Sequence, residues 1–233
     1  LISSFLTSSS LKFNRDYAQD TLYFFQYKAD FQPADPPTGI AHSVASRLLM
    51  DSVFISTQEV SLLQNHFYFI QSDTLSLEGL TLFMGPKHYP YMKLMDELIP
   101  PLTYFTSRSE LDEIRNAKDP KIAFENFWLN IHISPEAAGA AIRSYYRAIK
   151  KANELFTSYK EGWKTDRGMV YVIFGNPDRV FRDNKKEIWL YGDIRFEFKI
   201  ISNLFAPKMY VLLRDKGYEK IWIKKITDLR SAL

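Results

Sequence analysis

The sequence predicts an α+β fold: an N-terminal β-sandwich-like domain, a helical segment, and a C-terminal, mostly antiparallel β-sheet domain. Three patterns carry this. Short aromatic, β-prone segments recur at roughly ten-residue spacing before residue 90. From Pro135 onward, Ile142, Tyr145, Ile149, Ala152, Phe156 and Tyr159 follow each other at spacings of 3, 4, 3, 4 and 3, one continuous helical face. Further on, Ile194, Phe196, Phe198 and Ile200 alternate with Arg195, Glu197 and Lys199, a strand with one core face and one wet face.

Residues 1–19 are Ser-rich and read as an arm. Residues 21–27 are strongly β-prone, and Pro33, Pro36, Pro37 and Gly39 then impose a loop. Strands follow at 44–50, 53–55, 66–70 and 79–84. Pro86, Pro90, Pro100 and Pro101 separate this part, residues 20–100, from residues 101–233. A helix starts near residue 108 with Ser109 as N-cap, and a second covers 118–129 with Phe124, Phe127 and Trp128 on its packing side. The long helix runs from Pro135, capped by Ser134, to about Lys160, and Gly162 ends it. Antiparallel sheet then fills 169–223. Its strands lie at 169–174, 188–191, 194–200, 209–213 and 218–223, with a turn at Gly175-Asn176-Pro177-Asp178 and a two-residue hairpin turn at Gly192-Asp193.

Hydrophobic residues make up 46% of the chain and charged residues 24%, the profile of a globular domain rather than a disordered or fibrous one. Eighteen Phe, 14 Tyr and 4 Trp fit a β-rich core and also enrich interfaces. Charge is uneven: residues 1–100 hold 6 Lys/Arg against 10 Asp/Glu, and residues 101–233 hold 24 against 17. The basic residues are scattered among acids, so nucleic acid is not an expected partner. With no cysteine, disulfides, thiolate chemistry and Cys-ligated zinc are excluded. No apolar run reaches the roughly 18–20 residues of a membrane helix. The start, Leu1-Ile2-Ser3-Ser4-Phe5-Leu6, is not a signal peptide; the chain reads as a processed or truncated product, which is compatible with a lipidated Cys upstream.

Chemistry is sparse. His42, His66, His88 and His132 lack metal-ligand spacing. Phosphate loops and nucleophile elbows are absent, so no cofactor is expected. Asp166 and Asp178 flank the predicted strand at 169–174, which would hold them roughly 25–30 Å apart, too far for acid–base work on one bond. Turn chemistry is the expected role of Thr165, Asp166 and Asp178. Arg167 is expected to pair internally with Asp178, Glu187 or Glu161, and Trp163, Trp189 and Tyr191 to lie in the core.

One ordered series goes further. Phe127-Trp128 precedes Tyr145-Tyr146-Arg147, Ala152-Asn153 and Phe156. Then come Gly162-Trp163-Lys164-Thr165-Asp166-Arg167-Gly168, the segment Val170-Tyr171-Val172-Ile173, Gly175-Asn176-Pro177-Asp178, Glu187-Ile188-Trp189-Leu190-Tyr191 and Phe196-Glu197-Phe198. The series resembles the GWxTD-domain family over roughly residues 105–200, with residues 1–100 similar to the β-rich region preceding that domain. The resemblance implies an exported envelope protein, often a lipoprotein, of Bacteroidota and related Gram-negative bacteria. It implies no activity, so Gly162, Trp163, Thr165, Asp166, Arg167, Gly168, Gly175, Pro177, Asp178, Trp189 and Tyr191 enter as hallmarks and not as catalytic residues.

A second pattern is similar to the small lipoproteins of the outer-membrane barrel-assembly machine: Gly175, Pro177 and Asp178, then an acidic residue, Trp189-x-Tyr191 and an antiparallel strand. Those proteins place a helix before the turn, where this sequence reads as strand. The expected function is a non-catalytic accessory subunit of an outer-membrane complex, on its periplasmic or surface face, with barrel assembly ahead of secretion. The expected partners are an outer-membrane β-barrel protein and other envelope lipoproteins. The alternatives are an enzyme acting on peptidoglycan or polysaccharide, with Asp166, Asp178 and Glu187 as its candidates, and a secreted carbohydrate-binding module.

Overall fold

The computed structural model describes residues 5–6, 10–11, 21–38, 49–56, 59–76, 78–202 and 208–231. His42, most of the arm over 1–19 and positions 44–48 of an expected strand lie outside them. The fold is α+β, with two sheets on either side of a helical middle.

The first sheet has the order β1-β7-β6-β3-β4, from Phe5–Leu6, Leu80–Met84, His66–Gln71, Leu22–Lys28 and Met50–Ser56. It is antiparallel except where β1 joins β7. A two-stranded ribbon pairs β2 (Ser10–Leu11) with β5 (Val60–Ser61). The period of two sorts the aromatic residues onto two faces. Phe24, Tyr68, Ile70, Leu82 and Met84 form one core with Val60 and Leu62, giving a sandwich-like layer. Tyr27, Phe67 and Phe69 form another on the opposite face, against which Tyr159 packs.

Among the described residues, five helices follow α1 (Met95–Leu98). α2 (Arg108–Asn116) is capped by Ser107, not Ser109, because Glu110 stands at the third helical position and closes a capping box with Ser107. In α3 (Pro120–Ile131), Asp119 caps the first turn, and Phe124, Phe127 and Trp128 are all buried. Ser134 caps α4 (Pro135–Phe156), whose face of Tyr145, Ile149, Ala152 and Phe156 is buried. α4 stops at Phe156, short of the expected Lys160, so Tyr159 is free to turn edge-on to Phe31, 4.9 Å away between ring centroids.

Two expected strands are helices. Residues 169–174 belong to α5 (Asp166–Phe174), and 218–223 to α6 (Tyr218–Ser231). α5 is buried on every side from Gly168 to Ile173, so its sequence shows neither helical nor strand periodicity, and Val170, Val172 and Ile173 bias the reading toward strand. Its ends settle the matter. The Thr165 hydroxyl accepts the Gly168 amide at 3.0 Å as N-cap, and Gly175, at φ +76°, closes the C-terminus by donating its amide to the Tyr171 carbonyl. In α6, Trp222 is buried, and Tyr218, Ile226 and Leu229 pack beside it at spacings of four and three.

The second sheet has the order β11-β10-β9-β8 and is antiparallel throughout: Met209–Leu212, Ile194–Ile201, Lys186–Tyr191 and Arg179–Arg182. It therefore spans 179–212 rather than 169–223. β9 lies inside the sheet, and Tyr191 pairs Ile194 across the Gly192-Asp193 turn. Phe196 and Phe198 on β10 and Trp189 on β9 face α4 and α5 in one large core that also holds Trp128, Trp163 and Trp222.

α6 is clasped to α2 by Arg230, whose guanidinium donates to both Glu110 oxygens at 2.6 and 3.0 Å. Those bonds hold the Glu110 carboxyl down at about 2 from its ordinary 4.5, against the opposing effect of partial burial. The folded value lies below the unfolded one. The stabilisation is therefore complete above about pH 4.5 and is lost as pH falls toward 2. Arg230→Ala is expected to cost about 1–3 kcal/mol near neutrality. In denaturant titrations from pH 7 to 2, the gap to wild type should close as the carboxylate protonates. A gap independent of pH would mean that the contact is packing alone.

Candidate functional site

The hallmark residues gather where the end of α4, a tight 3₁₀ turn over Gly162–Lys164 and the start of α5 meet. Local sequence explains the path. Once α4 ends, the buried Asn153 side chain catches the returning chain: its Oδ1 accepts the Trp163 amide at 3.1 Å and its Nδ2 donates to the Pro90 carbonyl at 3.0 Å. The Tyr89 hydroxyl accepts the Gly162 amide at 3.3 Å. Burial pushes the Tyr89 hydroxyl well above its ordinary value, so it stays protonated. Trp163 is buried edge-on to Tyr104, and the Tyr104 hydroxyl donates to the Trp163 carbonyl at 3.2 Å.

Thr165 has two tasks, capping α5 and donating its hydroxyl to the Gly162 carbonyl at 2.7 Å. Asp166 does not close its own turn as expected. Its carboxylate reaches across to β11, accepting the Leu212 amide at 2.7 Å and the Arg214 guanidinium at 2.7 and 3.2 Å. Arg214 also donates to the Asp35 carbonyl, and the Ala34 amide donates to the Lys164 carbonyl. The 29–37 segment leaving the first sheet is thereby fastened to the motif.

Arg167 pairs internally, as expected, and of the three candidates Glu187 is its partner, at 3.5 Å. Its guanidinium lies 3.5 Å above the Tyr210 ring and 5.0 Å from that of Phe156. Glu187 faces inward in register with Trp189 and is only 1% exposed. Its carboxylate also takes the Trp189 indole N–H at 2.7 Å and both Nε and Nη2 of Arg182. Trp189 is buried, as expected, and Tyr191 is half-buried.

The Gly175–Asp178 turn is stitched to the hairpin tip. The Tyr191 hydroxyl donates to the Gly175 carbonyl at 2.9 Å, Asp178 accepts the Gly192 amide at 2.7 Å, and the Asp178 amide donates to the Leu190 carbonyl at 2.8 Å. Pro177 follows the Gly175 cap, where a helix cannot continue. Asp166 and Asp178 flank a nine-residue helix, about 13 Å long at 1.5 Å per residue, rather than a strand of twice that length. All three candidate carboxylates are engaged: Asp166 by Arg214, Glu187 by Arg167 and Arg182, and Asp178 by a backbone amide.

A family model described as the GWxTD domain matches residues 66–231. The chain belongs to the GWxTD-domain family. The match covers the whole motif region and reaches back to β6 and β7 of the first sheet. No curated protein and no solved structure matches the chain. The GWxTD hallmarks are thus a structural knot: two glycines at backbone crossings, a tryptophan in the core, a threonine cap and an aspartate clamped to β11. Sequence reasoning missed Arg214 and the part played by Asn153. Arg214 lies 48 residues from Asp166 with no local pattern to connect them. Asn153, a polar residue next to Ala152 on the apolar face of α4, was a legible signal of a buried tether. Among the described residues of the GWxTD domain and the first sheet, no group of three or more His, Asp and Glu is placed to hold a metal, and no helix is long and apolar enough to cross a membrane.

Proposed function

We propose that this chain is a non-catalytic accessory subunit of an outer-membrane complex, with barrel assembly ahead of secretion, held at the envelope by its partners and by a lipid anchor. The observation that carries the reading is the inward use of the family motif. Its tryptophan, threonine, aspartate and arginine all serve contacts within the fold, which suits a scaffold better than an active site. The three acids that a polysaccharide-acting enzyme would need are tied to guanidinium groups or backbone amides.

Barrel assembly is favoured by α5. A helix stands before Gly175-x-Pro177-Asp178, as in the small barrel-assembly lipoproteins, with a Trp-x-Tyr strand and an antiparallel partner after it. A partner-facing surface is at hand on β4, an edge strand among the described residues, where Met50, Val53 and Ile55 are exposed.

The test is affinity purification of the tagged protein from gently solubilised native envelopes, followed by crosslinking mass spectrometry. Stoichiometric recovery of an outer-membrane β-barrel, crosslinked to residues 1–30 or 162–191, is the expected result. Recovery of the protein alone would reject the subunit reading and turn attention to a glycan screen for the enzyme or sugar-binding alternatives.

A further inference from the structure

A cleft of about 70 Å³ opens beside the motif, between the chain leaving α4 and the start of β11. Ser158, Lys160, Asp166, Arg167, Lys208 and Tyr210 line it. Its charge is unbalanced. Glu161 is neutralised by Lys164 at 2.8 Å, Asp166 by Arg214, and Glu187 already holds both Arg167 and Arg182. Lys160 and Lys208 have no carboxylate partner within ion-pair distance among the described residues. The Lys160 ammonium has three donors, and among the described residues it donates to the Gln32 carbonyl at 3.1 Å. Desolvation, with Lys164 and Arg214 nearby, pulls its pKa down to about 8, although Asp166 and Glu161 oppose the shift.

The partly desolvated Lys160 ammonium, Lys208 and the Arg167 guanidinium over the Tyr210 ring make this lining cationic. Arg167 is kept in place by Glu187 and by the two rings, so its ordering cost is already met before any ligand arrives. The cleft has room for a tetrahedral oxyanion. Two uncompensated ammonium groups favour a dianion over a single carboxylate.

We propose that this cleft binds a phosphate group, either free or as the exposed phosphomonoester of a larger molecule, with Lys160 and Lys208 as its charge donors and Arg167 as its floor. The inference does not depend on the subunit reading, since it concerns the cleft alone.

The test titrates inorganic phosphate into the full chain by isothermal calorimetry at constant ionic strength, with chloride as control. Wild type should saturate, and Lys160→Gln/Lys208→Gln should bind at least tenfold more weakly. Lys208→Gln alone, at an exposed position, should weaken binding about threefold and guards against misfolding of the double variant. A parallel arm measures co-sedimentation with phosphatidylcholine vesicles with and without phosphatidic acid. Binding that needs phosphatidic acid and is competed by phosphate identifies a lipid headgroup as the source. Phosphate binding without vesicle binding supports the site and identifies a soluble source. Absence of saturation, equal affinity in both variants and wild type, or vesicle binding without phosphate binding would overturn the proposal.

Discussion

Gly168→Ala and Gly162→Ala are expected to remove a large share of the protein's stability. A Cβ built on Gly168 would lie 1.8 Å from the Gly162 carbonyl oxygen and 2.9 Å from the Trp163 Cα; one built on Gly162 would lie 2.0 Å from the Ala152 carbonyl oxygen. Every one of these obstacles is backbone, so no rotamer change relieves them. The Gly162 oxygen already accepts the Thr165 amide at 3.1 Å and its hydroxyl at 2.7 Å, so pushing it aside would also loosen the α5 cap. Ordinary overpacking of a core costs about 1–3 kcal/mol. Forcing apart α4, the 3₁₀ turn and α5 should exceed that, at about 4 kcal/mol or more, a large share of the roughly 5–15 kcal/mol that holds a domain folded. Gly139→Ala is the internal control. It sits within α4, its Cβ would meet only the flexible Arg143 guanidinium at 3.2 Å, and helix propensity predicts a gain of about 0.5–1 kcal/mol. Urea denaturation of the three variants should place Gly139→Ala at or above wild type and the other two far below. If Gly168→Ala fell within 1 kcal/mol of wild type, the close-packed account of the motif would be wrong.

Much of this arrangement was legible beforehand, and the exceptions have physical causes. The amphipathic face of α4 and the alternation of β10 reported their burial directly, because each element buries one side only. α5 buries all sides, and an apolar run without contrast has no period to read. Its boundaries were nevertheless written in Thr165, a capping residue followed by an acid, and in Gly175 with Pro177 just beyond. Weighing those ends above the β-branched interior would have given the helix. The first part of α6, residues 218–223, read as a strand, although Ile226 and Leu229 continue the helical spacing begun by Tyr218 and Trp222. β8 escaped notice because all four of its residues are exposed and it carries no pattern. The Asp166–Arg214 clamp and the approach of Lys208 to Lys160 depend on how β11 returns to α5, a tertiary fact with no local trace. Arg167 had three acidic candidates, and the period of two of β9, which turns Glu187 the same way as the buried Trp189, is what singles out Glu187.

That inward acid gives the other large expected effect. Glu187→Ala should destabilise the protein by about 3–5 kcal/mol, because it leaves a guanidinium held between two rings without its counter-charge. The same change removes the acceptor of the buried Trp189 indole N–H. Glu187→Gln keeps one acceptor and the side-chain volume, and a smaller loss of about 1–3 kcal/mol is expected. Arg182, across the strand pair from Glu187, separates the contributions. Its side chain is 53% exposed, so Arg182→Ala should cost at most about 1 kcal/mol while Arg167 still neutralises the acid. The order Ala at 187, then Gln at 187, then Ala at 182, measured by urea denaturation at pH 7, tests whether Glu187 is the anchor of the motif's arginine. A Glu187→Ala protein as stable as wild type would show that Arg167 is held by its rings alone. It would also free the carboxylate for another role, and the polysaccharide-acting alternative would regain a candidate.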